Sequence, residues 1–279
     1  MIDLDMMYKD SNWGNDPKGP DNITILMPGK RGWFNALLCH AGIDKKRPAV
    51  LLLHGFPGND KNLDMMEALR RCGFNVLTMN YSGSWGSPGP FLFANVLEDA
   101  ATALKFLQDN ADEYMIDRDN IFVIGHSMGG FATLHTTAAC EGIKGSVAFA
   151  PYDFGLQYKL GIENGGDDWT NVHELVRDGV QQLDTDYDTL MEELKNNPGY
   201  QFEAIADKLA KKPLLVIEAG YDICAASSEK NHSRYLAEWI EANDPVDFEL
   251  DSIPSNHSFA DTRLALCEMV AKKLASWVD

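Results

Sequence analysis

Basic side chains are in short supply. The 279 residues hold 24 Lys and Arg against 42 Asp and Glu, a formal charge of -18 with a pI near 4.7. A surface of that sign repels nucleic-acid phosphates and anionic lipid headgroups, so neither is expected as a partner. Long apolar runs are missing as well: nothing approaches the ~20 residues of a membrane helix. The start, Met1-Ile2-Asp3-Leu4-Asp5-Met6-Met7, puts acid where a secretory leader needs basic residues and then an apolar stretch, which points to a cytoplasmic chain. The five cysteines, Cys39, Cys72, Cys140, Cys224 and Cys267, are odd in number and scattered, with no C-x-x-C pair, so they are read as reduced, mostly packed thiols. Asn22, Asn231 and Asn256 sit in Asn-x-Ser/Thr sequences that have no meaning in that compartment. Phosphate-binding G-x-x-x-x-G-K-[ST] and G-x-G-x-x-G loops are lacking, and the histidines lack metal-ligand spacing, so no cofactor and no metal is implied.

What is there is globular. With 45% hydrophobic and 24% charged residues the chain has ample material for a buried core, and no internal repeat is visible. Residues 10–22, rich in Gly, Pro, Asn and Asp around Trp13, read as an irregular arm. Extended runs at 23–27 and 33–40 flank Pro28-Gly29-Lys30-Arg31-Gly32 and predict an antiparallel hairpin at a sheet edge. Apolar strands at 50–53, 74–79, 121–124, 146–150, 214–218 and 246–250 then alternate with helical periodicity at 63–72, 96–110, 128–139, 228–241 and 260–278. That alternation signals crossovers and a mainly parallel sheet buried on both faces. The interval between Ala150 and Leu214 is far longer than an ordinary connection. Val172, Leu175, Val176, Val180 and Leu183 share one helical face, and Leu190, Met191 and Leu194 another after a cap at Asp186. A helical insertion at about 152–210, within a single domain over 1–279, is expected.

The most informative segment is Ile121-Phe122-Val123-Ile124-Gly125-His126-Ser127-Met128-Gly129-Gly130, a buried strand running through G-x-S-x-G into a helix. A serine on so sharp a turn sits in strained backbone, and the flanking glycines let strand and helix pass closely. The turn exposes Ser127 Oγ and aims the helix N-terminus, with its N–H groups and positive dipole end, at it. A lone serine is a weak nucleophile and requires a base, an orienting acid and oxyanion donors. Asp222 follows the strand at 214–218, at the carboxyl end where ligands gather in open α/β sheets. His257 lies in the polar loop Ile253-Pro254-Ser255-Asn256-His257-Ser258-Phe259 after the last strand. Glu218 and Asp153 are rivals for the acid, one too early on its strand and the other after the preceding strand. His40, His135, His173 and His232 suit structural or exposed places. The loop His54-Gly55-Phe56-Pro57-Gly58 supplies a tight turn, and the amides of Phe56 and Met128 are assigned as oxyanion donors, with His54 shaping the loop.

With strand order, serine turn, acid, base and His-Gly loop together, the chain resembles the α/β-hydrolase superfamily from about residue 23 onward, in the order Ser127, Asp222, His257. Asn80-Tyr81-Ser82-Gly83-Ser84-Trp85-Gly86-Ser87 is similar to the N-Y-R-G-S-G-G-S stretch of prolyl oligopeptidase-like hydrolases and of bacterial feruloyl and cinnamoyl esterases. It departs from them at Ser82, where Arg is usual, and at Trp85, where Gly is usual. The resemblance implies the α/β-hydrolase fold: a mostly parallel eight-stranded sheet with an N-terminal antiparallel hairpin, helices on both faces and the insertion as a helical cap, in which Gly161, Gly165 and Gly166 are available as hinges. It further implies that His257 takes the proton of Ser127, that Asp222 steadies the imidazolium, and that water releases an acyl-enzyme. Phe154, Tyr158, Trp169 and Tyr187 are candidates to line the substrate pocket, although residues at helical spacing equally serve as core. The leading expectation is a serine hydrolase acting on small-molecule carboxylic esters of small or medium size. A peptidase or amidase of the prolyl oligopeptidase-like kind is the alternative, with Glu163, Asp167 and Asp168 available for an amine. A non-catalytic binding module is the reading from another class, and the retained serine and histidine speak against it.

Overall fold

The computed structural model describes residues 2–278. In chain order the strands are β1 (Asp21–Gly29), β2 (Gly32–His40), β3 (Arg47–Leu53), β4 (Asn75–Met79), β5 (Ile116–His126), β6 (Gly145–Phe149), β7 (Leu214–Ala219) and β8 (Phe248–Ile253). They form one sheet of eight strands in the order β1-β2-β4-β3-β5-β6-β7-β8, antiparallel in β1, β2 and β4 and parallel from β4 through β8. The helices are α1 (Leu63–Cys72), α2 (Phe93–Asp109), α3 (Met128–Ala139), α4 (Phe154–Asn164), α5 (Gly166–Gly179), α6 (Tyr187–Asn196), α7 (Ala206–Leu209), α8 (His232–Glu241) and α9 (Arg263–Trp277). This is the α/β-hydrolase architecture expected from the sequence, with the β1-β2 hairpin at one edge.

Strands β4, β6 and β7 are buried at every position, which is why each reads as an unbroken apolar run. Alternate residues feed two cores. Leu51, Leu53 and Val123 pack with Val96 and Leu104 of α2 and with Phe131 of α3 on one side. Val50, Leu52 and Phe122 pack with Leu69 of α1 and with Leu266 and Val270 of α9 on the other. Each such side chain contributes about 1.5–3 kcal/mol of burial, so the sheet is the stiff body from which the loops project.

Several boundaries differ from the periodicity. The last strand starts at Phe248 rather than Val246 and runs to Ile253, in register with β7 from Leu214↔Phe248 to Ala219↔Ile253. Val246 is exposed, and its amide bonds the Ala210 carbonyl (2.9 Å). As an edge strand, β8 tolerates Glu249, Asp251 and Ser252, so hydropathy places it too early. Helix α8 begins at His232, because a bridge between Ala226 and Asn231 closes a turn and the Asn231 side chain then caps the helix. In the insertion, α4 has no apolar stripe to announce it. It is set by its cap, Asp153, which accepts from Leu156 N (2.8 Å). Helix α5 ends at Gly179 and a short 3-10 turn follows, dividing the stripe from Val172 to Leu183, whereas Asp186 does cap α6 (Thr189 N, 2.8 Å).

Candidate active site

Ser127, Asp222 and His257 lie on loops that leave the carboxyl ends of β5, β7 and β8. Ser127 adopts φ 55 and ψ -117, a left-handed backbone rare for a residue with a side chain, at the turn from β5 into α3. The strain is held by neighbours. The Ser127 amide donates to Phe149 O (3.1 Å), and its carbonyl accepts from Phe131 N and Tyr152 N (3.0 and 3.2 Å). A Cβ at Gly125 would overlap the Gly129 backbone, and one at Gly129 would overlap the Leu53 carbonyl, so the motif's glycines are demanded by the close crossing of strand and helix.

His257 Nε2 is 2.9 Å from Ser127 Oγ, and its Nδ1 is 2.7 Å from Asp222 Oδ2. The other oxygen of Asp222 accepts from Cys224 N and Ala225 N (2.8 and 3.0 Å), and its carboxylate is fully buried. Burial alone would raise the Asp222 carboxyl, but the bond and charge of His257 and the two amides outweigh it and hold the group low. Burial alone would lower His257, but the hydrogen bond to Asp222, with that carboxylate's charge and the adjoining Cys224 side chain, raises it above the ordinary imidazole range. The pair thus favours an ionised carboxylate beside a basic imidazole. Gly220 N to Ile253 O (2.7 Å) and Tyr221 N to Ser255 O (2.9 Å) fasten the acid loop to the base loop.

The rivals for the acid are engaged elsewhere. Glu218 pairs with Arg234 through two bonds (2.7 and 2.9 Å), and Asp153 caps α4 and accepts from Phe202 N (2.9 Å). Gly55 lies against Ser127, where a Cβ would stand 3.3 Å from the serine Cβ. The adjoining Gly55 carbonyl accepts from His54 Nδ1 (2.8 Å). Burial pushes His54 down to about 4, so the ring is neutral, and since a carbonyl only accepts, Nδ1 carries the proton. In a trans peptide C=O and N–H point opposite ways, so this bond turns the Phe56 amide away from His54. Met128 is the first residue of α3, and its amide has no acceptor within the helix.

The stretch 80–87 props the same loop: Tyr81 OH donates to His54 O (3.3 Å) and Trp85 Nε1 to Pro57 O (3.0 Å). Where Ser82 replaces the usual Arg, a guanidinium arrives from the hairpin turn instead. Arg31 bonds Ser82 Oγ (2.9 Å), Asp99 (2.7 Å) and Glu98 (2.7 Å).

Between the Phe56-Pro57 loop, α5 and the Ile223-Cys224 segment runs a groove of about 420 Å³, lined by Phe56, Pro57, Leu175, Gly179, Ile223 and Cys224, with Glu174 and Asp178 also facing it. Helix α5 touches both the Phe56 loop and the Asp222 loop there. Gly179 lies so close to the Phe56 ring that a Cβ would overlap it, and Asn171 Nδ2 donates to Cys224 O (2.8 Å). The four aromatics expected in the pocket do not line this groove. Phe154 is fully buried among Phe93 (4.2 Å), Tyr152 (4.6 Å) and Phe131 (5.3 Å). Tyr158 and Trp169 face each other (6.3 Å), and Tyr187 OH shares a hydrogen bond with His173 Nδ1 (2.7 Å). Helical spacing identifies an inward face, and inward in this insertion means helix against helix. Gly165 and Gly166 form the break between α4 and α5 with φ 65 and 53, while Gly161 packs on Trp169. Sequence reasoning passed over Gly179, Asn171, Cys224 and His126. Of these only His126 carried a signal, its place beside the serine.

The family described as serine aminopeptidase, S33, matches residues 44–232, more than half of the chain. The chain belongs to this family. It is therefore a hydrolase of the α/β fold. Among known proteins, acylamino-acid-releasing enzyme 2 of Oryza sativa subsp. japonica is 31% identical over 121 residues, 39% of this chain and 15% of that protein. The chain thus spans only a small part of that relative's length. Among solved structures, an acylaminoacyl peptidase of Pyrococcus horikoshii superposes with a TM-score of 0.67 at 15% identity, over 91% of this chain and 41% of its own. An esterase of Pyrobaculum calidifontis gives 0.67 at 18% identity, over 98% and 88%. At such identities the two structures speak to the fold. Among the described residues no helix is long and apolar enough to cross a membrane.

Proposed function

We propose that the protein is a serine hydrolase that cleaves carboxylic esters of small or medium size through an acyl-enzyme. The observation that carries this reading is the unbroken chain from Ser127 Oγ to His257 (2.9 Å) to Asp222 (2.7 Å) at the ends of three strands. Ser127 Oγ attacks the ester carbonyl carbon while its proton passes to His257 Nε2. Asp222 holds Nδ1–H and stabilises the imidazolium. The amides of Phe56 and Met128 receive the oxyanion, the first oriented by His54 through the Gly55 carbonyl and the second by its place at the helix start. His257 then gives the proton to the leaving alkoxide, and water, deprotonated by the same imidazole, releases the acid. The insertion serves as the cap, with α5 as its working element. The groove's lining of Phe56, Pro57, Leu175 and Ile223 suits an uncharged acyl or alkyl group of moderate size.

Hydrolysis of p-nitrophenyl butyrate by the wild type, with Ser127→Ala losing at least ~10³ in kcat, is the expected result. Equal turnover by the two proteins refutes it. The second reading, a peptidase acting on acylated or free amino-acyl groups, draws on the likeness to the acylamino-acid-releasing enzymes. Acetyl-aminoacyl and aminoacyl p-nitroanilides assayed beside the ester decide between them by the ratio of kcat/KM.

A further inference from the structure

His126 is the residue inside the serine motif that the mechanism above leaves without work. It ends β5, is buried, and its ring lies on Phe149 (5.5 Å, nearly parallel) and beside the His257 ring (4.9 Å). Its Nε2 is 2.7 Å from the backbone carbonyl of His257. A carbonyl only accepts, so Nε2 carries the proton and the ring is neutral, in keeping with burial and the neighbouring His257 charge, which push it down to about 3. The backbone on which the base is mounted is thereby tied to the residue next to the nucleophile.

We infer that His126 is a positioning residue that holds the His257 loop in reach of Ser127 by donating Nε2–H to the His257 carbonyl. The inference rests on the proposed serine mechanism and adds a stage-specific role to it. In the resting site the ring nitrogens of His257 bond Ser127 Oγ and Asp222. Once Ser127 Oγ is esterified its hydroxyl proton is gone, and that oxygen no longer donates to the imidazole. Asp222 still grips Nδ1, but Asp222 stands on a different loop. The bond from His126 involves no atom that changes during the reaction, so it ties the loop of the base to the strand of the nucleophile in both halves of the cycle. Its loss falls hardest on deacylation, when the base has to hold a water rather than the serine.

The test uses the intact protein with p-nitrophenyl butyrate. His126→Phe keeps a ring against Phe149 and removes the donor, and His126→Gln replaces the ring but returns an N–H at the place of Nε2. In His126→Phe, kcat is expected to fall by at least about tenfold with KM falling alongside it, and a burst of nitrophenol is expected to appear as acyl-enzyme accumulates. His126→Gln is expected to recover kcat to within about threefold of wild type, well inside the factor of ten that 1.4 kcal/mol represents. His126→Leu, also without a donor, takes the place of His126→Phe if the larger ring does not fold in, as judged by thermal melting. A donor-free folded variant with wild-type kcat and no burst overturns the inference, and so does a Gln variant as impaired as the donor-free one, since both make the ring's packing the only role. If the wild type neither turns over the ester nor labels at Ser127 with a fluorophosphonate, it is the serine mechanism that fails.

Discussion

At the scale of single residues the proposed mechanism turns on the imidazole of His257, which stands 2.9 Å from Ser127 Oγ and 2.7 Å from the Asp222 carboxylate. The two shifts agree in direction: Asp222 is held low and His257 is raised, each chiefly against the pull of burial. The sign for catalysis follows directly. A general base works only when unprotonated, so kcat/KM is expected to go on climbing with pH beyond ~6.5, where a free imidazole has half titrated. Asp222→Asn removes the upward pull and is expected to bring the midpoint of that limb down in the residual activity. A wild-type rate already level by pH ~6.5 excludes the raised base. These residues were legible in the sequence because each follows a strand that is itself legible, and because a serine between glycines at a strand-to-helix crossing has a steric reason to be there. His54 was legible as a loop-shaping residue for the same reason. Phe154, Tyr158, Trp169 and Tyr187 were not, since their spacing says that they face inward but not which partner they meet.

Among elements, α5 matters most. It packs Gly179 on the Phe56 ring and Asn171 on the Cys224 carbonyl, so one helix of the insertion touches the loop of a proposed oxyanion donor and the loop of the acid. The Phe56 ring is backed by Phe91 (5.6 Å) and Phe93 (6.1 Å), which leaves it little room to yield. Gly179→Ala is therefore expected to displace the Phe56 backbone and to lower kcat by at least about tenfold, within the 10²–10³ that complete loss of one oxyanion donor costs. The melting temperature tells whether the helix itself has suffered, and unchanged kcat in a folded variant breaks the link. No periodicity announces this contact, because a glycine at a helix end reads as a stop. Helix α4 escaped for a related reason: its buried face is built from Phe154, Gly155, Leu156, Gln157 and Gly161, too mixed in hydropathy to form a stripe.

For the whole molecule, a net charge of -18 makes carboxylates the groups on which stability turns. Asp153 is the clearest case. Fully buried, it is raised to about 7 by desolvation, which overcomes the amides of Leu156 and Phe202 that favour its charge. The unfolded chain releases that proton near pH ~3.9, so between there and about 7 the folded state binds the extra proton. Its contribution to stability accordingly falls as pH rises across that interval and levels off above it. The wild type's melting temperature, measured against Asp153→Asn, is expected to decline from pH 5 to pH 8, and a difference independent of pH removes Asp153 as the cause. The buried strands, the hairpin and the crossovers were readable in advance, since burial on both faces leaves an unmistakable apolar signature, whereas the order β1-β2-β4-β3-β5-β6-β7-β8 is carried by no apolar run. Edge strand β8, half exposed and carrying charge, was displaced by two residues on the same logic.

The double grip of α5 has a consequence for traffic. Under the proposed mechanism a helix that braces both loops cannot swing clear without disarming the machinery beneath it, which leaves admission and exit to the groove along its flank. Attempts to broaden this catalyst's diet by exchanging that helix will therefore retune its speed in the same stroke.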